Sequence, residues 1–333
     1  MKAFVQSGVS RYAQEEVERP RPAAGQIVLR VGTAVTCGTD LKLLARGHPR
    51  IGLPVTMGHE LAGEVAEIGE GVRGWTVGER AVPGVSGPCG RCGDCGSGRA
   101  NLCASGHADR MWGAFAEYVR VPAGVVAANL HRIPDGLDDE VAAFLDPVAS
   151  VFHGWNRLRA PSGSMLVYGA GALGFLWASV ASRRGLDVVI ASRRPERAAL
   201  ARQYGARFVD LTRESPPAAD VAVDCTGQST VWERLAELVR PGGQVLLFGG
   251  CAPDARVGFD AARLHYGELS LVGAFHYTPE DARGALDALA AGDVDPRPLI
   301  AERGSFEDLP RFLDAQARGE GVRYAIAVAG GSR

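Results

Sequence analysis

Two groups of residues in the first third of the chain, one of four cysteines and one that joins a cysteine to a histidine, could each hold a metal ion. Cys89, Cys92 and Cys95 recur at every third residue, and Cys103 follows after a Gly-rich stretch. Four thiolates so placed can wrap tetrahedrally around one zinc, and protein then fills every coordination position, which makes the site structural. A disulfide or a redox pair needs only two of the four. A zinc-ribbon nucleic-acid module shares the signature but needs a basic surface, and only Arg91 and Arg99 are basic around these cysteines. Upstream lie Cys37-Gly38-Thr39-Asp40 and Gly58-His59-Glu60. Cys37 and His59 can share one zinc and leave positions for water and substrate.

A third feature is Gly169-Ala170-Gly171-Ala172-Leu173-Gly174, after an apolar strand and at the start of an apolar helix. The first glycine permits the tight turn, the second lets backbone approach a pyrophosphate, and the third lets helix pack closely on strand. In that setting the pattern reads as dinucleotide binding. The next strand ends at Ser192-Arg193-Arg194. NAD-binding folds place Asp or Glu there to accept bonds from the ribose hydroxyls. A carboxylate repels a 2′-phosphate, whereas a hydroxyl and two guanidiniums hold it, so the expected cofactor is NADP before NAD. Thr226 and Gly249, at the ends of the two later strands, complete the expected cofactor-binding residues.

The elements that must position these residues change in texture along the chain. Residues 27–31, 61–68, 80–85 and 115–121 are short apolar or alternating strands separated by Gly and Pro. From about residue 160, strands at 165–168, 187–191, 221–224 and 244–248 alternate with helical segments at 196–204 and 230–239. That alternation predicts a doubly wound parallel sheet. A helix with Ala282, Leu286 and Leu289 on one face and a strand over 324–329 follow.

With 333 residues, two domains are expected. The chain is 46% hydrophobic and 22% charged, which excludes disorder; its net charge of −2 gives no reason to expect nucleic acid. The charge-free stretch 164–182 is broken by glycines and reads as buried strand and helix, so no membrane partner is expected. The first residues lack a secretory pattern, and seven cysteines then imply a reducing, cytoplasmic setting. Of 36 basic residues only Lys2 and Lys42 are lysines.

Taken together and in this order, these motifs resemble the zinc-dependent medium-chain dehydrogenase family, which includes alcohol, sorbitol and threonine dehydrogenases. The resemblance implies an α/β architecture. A split, mostly-β GroES-like catalytic domain (1–155 and 285–333) with its zinc lobe at 88–104 would flank a Rossmann domain over 156–284. It implies that Cys37, His59 and an acid before the Rossmann domain hold a catalytic zinc. That acid falls at Asp146, with Glu60 as the alternative ligand. It implies that Thr39 takes the alcohol proton. Lys42 stands where relatives often carry a relay histidine, and lysine, unlike arginine, can lose its proton when desolvated.

The expected activity is interconversion of a secondary alcohol and its ketone with NADP(H) or NAD(H), using two zinc ions per chain in a homodimer or homotetramer. An acid at 146 and the segment 269–276 resemble the polyol branch, so sugar alcohols, cyclitols or amino-cyclitols lead and threonine-like amino alcohols follow. An inactive NADP(H)-binding relative and a zinc-free enone reductase are the competing classes. Substrate walls are expected from the loops 45–54 and 104–113.

Overall fold

A computed structural model describes residues 1–47 and 51–328; part of the 45–54 loop and the last residue of the 324–329 strand lie outside them. The chain divides into two compact units. The first comprises Met1–Ala149, Tyr277–Ala291 and Leu299–Arg333, and the second Ser150–His276 and Gly292–Pro298. The borders differ from the expected 155/156 and 284/285, and packing explains each difference. Gly154 lies so close to Trp177 that a Cβ there would meet the indole at 2.6 Å, so the chain joins the second unit from residue 150 onward. Tyr277 bonds Val85 and Asp146, which returns it to the first unit. The Tyr204 hydroxyl donates to the Asp295 carbonyl at 2.9 Å, keeping 292–298 with the second.

In the first unit, seven strands form a mixed sheet around Ile27–Val35, which pairs antiparallel with Leu61–Ile68, Tyr118–Val121 and Arg323–Ala327. Ile27, Leu29 and Val31 point into one core with Leu61, Val65, Phe115 and Phe312. A three-stranded sheet of Lys2–Gly8, Arg11–Glu16 and Val55–Thr56 accompanies it. Gly58 has φ +85°, and a Cβ there would sit 2.9 Å from Phe115, so only glycine lets His59 follow directly.

The second unit carries six parallel strands in the order Ala206–Asp210, Asp187–Ser192, Ser164–Tyr168, Ala219–Asp224, Val239–Leu247, Ser270–Gly273. Numbered within the unit this is 3-2-1-4-5-6, the doubly wound order whose switch point lies between its first and fourth strands. The helix Ala172–Arg183 buries Phe175, Leu176, Trp177 and Val180, which accounts for the lack of charge before its last residue. Among the described residues no helix is long and apolar enough to cross a membrane.

One half-buried base should make the first unit sensitive to acid. His131 Nε2 donates to the Asn129 side-chain oxygen at 2.9 Å, a bond that the neutral ring makes as well as the charged one. Burial, and then the Arg283 charge, push its pKa from 6.5 to about 4. A group with a depressed folded pKa stabilises above its unfolded pKa, and that stability is lost as pH falls towards the folded one. Between pH 7 and 5 His131 is expected to cost about 2 kcal/mol of unfolding free energy. Urea midpoints of wild type and His131→Gln should diverge at pH 7 and converge by pH 5; parallel curves would show that His131 does not titrate in this window.

Candidate active site

Cys37 caps the helix Gly38–Arg46 with extended backbone, and its Sγ accepts the Thr39 amide at 3.5 Å. The Asp40 carboxylate, 1% exposed, closes the cap by accepting the Cys37 amide at 2.8 Å. Its other oxygen meets His59 Nδ1 at 3.1 Å. That bond fixes the ring and leaves Nε2 for a metal, the arrangement in which a carboxylate orients a ligating histidine. Nothing in the sequence assigned this role to Asp40.

Ligand atoms of Cys37, His59 and Glu60 lie within 4.8 Å of one another, and all three residues are buried. Glu60 is paired with Arg323, both guanidinium nitrogens lying 3.2 Å from its carboxylate oxygens. Arg323, 3% exposed, also donates to the Thr36 carbonyl. Burial disfavours a Cys37 thiolate, but Arg323 and His59 outweigh it and bring the thiol down to about 6. Burial likewise opposes a charged His59, and Asp40 and Cys37 raise it well above 6.5 all the same. Burial drives the Glu60 carboxyl well above its usual range, against the pull of Arg323. The trio offers one sulfur, one imidazole nitrogen and one carboxylate oxygen to a single divalent cation.

Asp146 does not join this group. It sits in the first turn of Leu145–Arg157, and its Oδ1 accepts the Tyr277 hydroxyl at 2.8 Å. Of the two acids expected as third ligand, the structure brings Glu60, the alternative, into the cluster and leaves Asp146 outside it. Asp146 has the shorter side chain, its carboxylate is engaged by the phenol, and Glu60 is adjacent to His59 in the chain. Thr39 and Lys42 are both exposed and three residues apart, on one helix face. The Trp112 ring stands edge-on to His59 with centroids 5.1 Å apart, inside the 104–113 loop.

In the cysteine lobe, ligand atoms of Cys89, Cys92, Cys95 and Cys103 also lie within 4.8 Å of one another. Every cysteine is a free thiol, and Cys92 and Cys95 sulfurs are 3.5 Å apart, beyond disulfide distance. Cys103 Sγ accepts the amides of Cys89 at 3.3 Å and Gly106 at 3.4 Å. Amides of Arg91 and Cys92 lower the Cys89 thiol to about 6, while burial, then Cys92, push Cys95 up to about 12. Backbone donors aimed at sulfur suit a four-thiolate zinc site.

The second unit holds a cavity of about 710 Å³ at the switch point of its sheet, lined by Gly169, Gly171, Ser192, Arg193, Arg194 and Thr226 among others. Gly169 has φ +116°, and a Cβ on Gly174 would meet the Gly169 carbonyl at 2.0 Å. A Cβ on Gly171 would meet nothing within 4 Å, leaving the helix N-terminus open to a phosphate. Ala172 and Leu173 form the first turn behind it. Gly249 supports the wall rather than lining it: a Cβ there would fall 2.5 Å from the Gly227 amide. Ser192 is 8% exposed, and its hydroxyl accepts the Arg194 amide at 3.3 Å; Arg193 and Arg194 are exposed.

Two contributors escaped the sequence reading. Arg234, on Ser229–Leu238, adds a third guanidinium to the cavity. Asp224, fully buried, gathers the Thr226 amide and hydroxyl, the Gly227 amide and the Trp232 indole, and so fixes the loop that carries Thr226. A carboxylate ending the fourth strand was the available signal.

Residues 23–135 match the alcohol dehydrogenase GroES-like domain, and residues 172–291 match the zinc-binding dehydrogenase family. The chain is 30% identical to a sorbitol dehydrogenase of Halalkalibacterium halodurans, covering 98% of this chain and 99% of that protein. It is 31% identical to an acryloyl-coenzyme A reductase of Metallosphaera sedula, over 93% of this chain and 95% of that one. A Sinorhizobium meliloti 1021 structure with bound NADP superposes with a TM-score of 0.87 at 29% identity, covering 98% of each chain. The chain belongs to the zinc-dependent medium-chain dehydrogenase family of alcohol dehydrogenases. It is an oxidoreductase of the alcohol dehydrogenase type.

Proposed function

We propose that the protein interconverts a polyol or cyclitol and its ketone, with NADP preferred to NAD. One zinc would be held by Cys37, His59 and Glu60, and a second by Cys89, Cys92, Cys95 and Cys103. The observation that carries the reading is the buried Cys37–His59–Glu60 cluster, a mixed donor set that three protein ligands leave open. Similarity to a sorbitol dehydrogenase supports the substrate class. A homodimer or homotetramer in the cytoplasm and a small-molecule alcohol–ketone pair complete the proposal.

Bound zinc supplies Lewis acidity, which lowers the pKa of an alcohol or polarises a ketone. The chain's own residues do the rest. Asp40 holds His59 in one tautomer, and Arg323 balances the charge on Glu60. Thr39 accepts the alcohol proton and passes it outward along the face it shares with Lys42. The glycine loop and helix N-terminus take the pyrophosphate.

The NADP preference rests on the absence of a carboxylate at Ser192 and the guanidiniums of Arg193, Arg194 and Arg234 in the same cavity. Each charge-assisted contact to a 2′-phosphate is worth ~1.5–3 kcal/mol, so Arg193→Ala should lower kcat/KM for NADP roughly 10- to 100-fold and leave NAD nearly unchanged. Ser192→Asp should move the preference towards NAD, and salt should shrink it in the wild type. An NADP-to-NAD ratio unchanged in both Arg193→Ala and Arg194→Ala would mean that these two arginines point into solvent and would withdraw the NADP preference. The test of the whole reading is a panel of polyols, cyclitols, threonine and an acryloyl thioester with both cofactors. Turnover of the thioester alone would replace the alcohol reading with a reductase one, as the Metallosphaera relative suggests.

A further inference from the structure

Two carboxylates compete for the third place beside Cys37 and His59, and a buried phenol stands between the outcomes. Tyr277 is 2% exposed, and its hydroxyl oxygen accepts the Val85 amide at 2.9 Å. A backbone N–H can only donate, so the single phenolic proton is free to turn to the other neighbour, Asp146 Oδ1 at 2.8 Å. The direction of that bond is therefore fixed by the amide behind it.

Asp146 is itself anchored. Phe144, Leu145, Val148 and Ala149 around it are all 0% exposed, so its backbone has no slack and its reach is that of one methylene. Asp146 is nonetheless near enough that its charge acts on Glu60, while its oxygens stay outside the 4.8 Å cluster of Cys37, His59 and Glu60. A charge-assisted O–H···O⁻ bond of this kind must be given up before Asp146 can swing towards a cation. Glu60 is held differently: its partner Arg323 is a cation that stays paired while a carboxylate oxygen faces His59 Nε2 at 3.8 Å.

We propose that Tyr277 is a positioning residue that tethers Asp146 away from the metal and thereby makes Glu60 the third protein ligand. This rests on the reading that Cys37, His59 and Glu60 hold a zinc ion. Tyr277 touches neither substrate nor cofactor in this role; it acts through Asp146.

The experiment exchanges cobalt into the Cys37 site of protein that keeps zinc in the four-cysteine lobe, and follows the visible d–d spectrum and the rate of metal release to a chelator. In Tyr277→Phe the freed Asp146 enters the coordination sphere: the bands shift and weaken, and release slows roughly tenfold. Both changes should vanish in Tyr277→Phe/Asp146→Asn. Asp146→Asn alone should keep the wild-type spectrum, and this variant carries the test if Tyr277→Phe does not fold. A Tyr277→Phe spectrum identical to wild type overturns the proposal. So does a shift that persists without the Asp146 carboxylate, or an altered spectrum in Asp146→Asn alone. Failure of the underlying reading looks different, since wild-type protein would then take up no cobalt at Cys37, and the inference would fall with it.

Discussion

Turnover by Cys37→Ala and His59→Ala is expected to fall by roughly 10³-fold or more, because the Lewis-acid contribution of several kcal/mol disappears with the metal. Cofactor affinity should stay within about twofold, since the glycine loop and arginines belong to the second unit and the metal ligands to the first. Asp40→Asn should fall between. It keeps a side chain beside His59 but can present a donor to Nδ1, which disturbs the tautomer and costs roughly 10- to 100-fold in metal affinity or activity. The measurements are steady-state rates, zinc content and NADP binding by fluorescence titration. Near-native turnover in Cys37→Ala or His59→Ala would place the reacting alcohol elsewhere, and lost cofactor binding would point to general damage instead.

The pattern of success in reading the sequence follows from how each feature is encoded. The glycine loop and the four cysteines are local: a short run of residues specifies the turn, the helix start or the metal knot, and the structure places them as their spacing suggests. The choice between Asp146 and Glu60 is not local. It depends on Tyr277, which is 131 residues from Asp146, and on Arg323, which is 263 residues from Glu60. Arg323 looks in sequence like one more arginine in an arginine-rich chain; only the antiparallel pairing of Arg323–Ala327 with Ile27–Val35 brings it beneath the site. Asp40 is intermediate. It lies three residues after Cys37, a capping-box spacing, so its bond to the Cys37 amide was legible while its bond to His59 was not. The unit borders fall a few residues from the expected ones for a related reason: Gly154 packs on Trp177, and Tyr277 accepts the Val85 amide from 192 residues away.

Cys95→Ser should remove one equivalent of zinc per chain and open the 88–104 lobe to protease. The lobe has little else to hold it. Its helix Gly93–Gly96 has no buried residue, and Cys92 caps that helix without a side-chain bond. The thiols are also mismatched as they stand, with Cys89 lowered to about 6 and Cys95 raised to about 12 within one sulfur cluster. A divalent cation removes that conflict by deprotonating all four, and the apparent binding free energy of such sites, about 10–16 kcal/mol near pH 7, is then folding free energy of the lobe. A serine hydroxyl in place of one sulfur stays protonated and is a poor zinc donor, so the site loses one of its four strong ligands. Metal analysis should give close to two zincs per wild-type chain, one for Cys95→Ser, one for Cys37→Ala and none for the double variant. Proteolysis should cut Cys95→Ser within the lobe but spare Cys37→Ala. Unchanged zinc in Cys95→Ser would mean that three cysteines suffice or that the sulfurs bind no metal. The Cys89→Ser/Cys95→Ser pair separates those cases, because two thiolates cannot retain a structural zinc that three would keep.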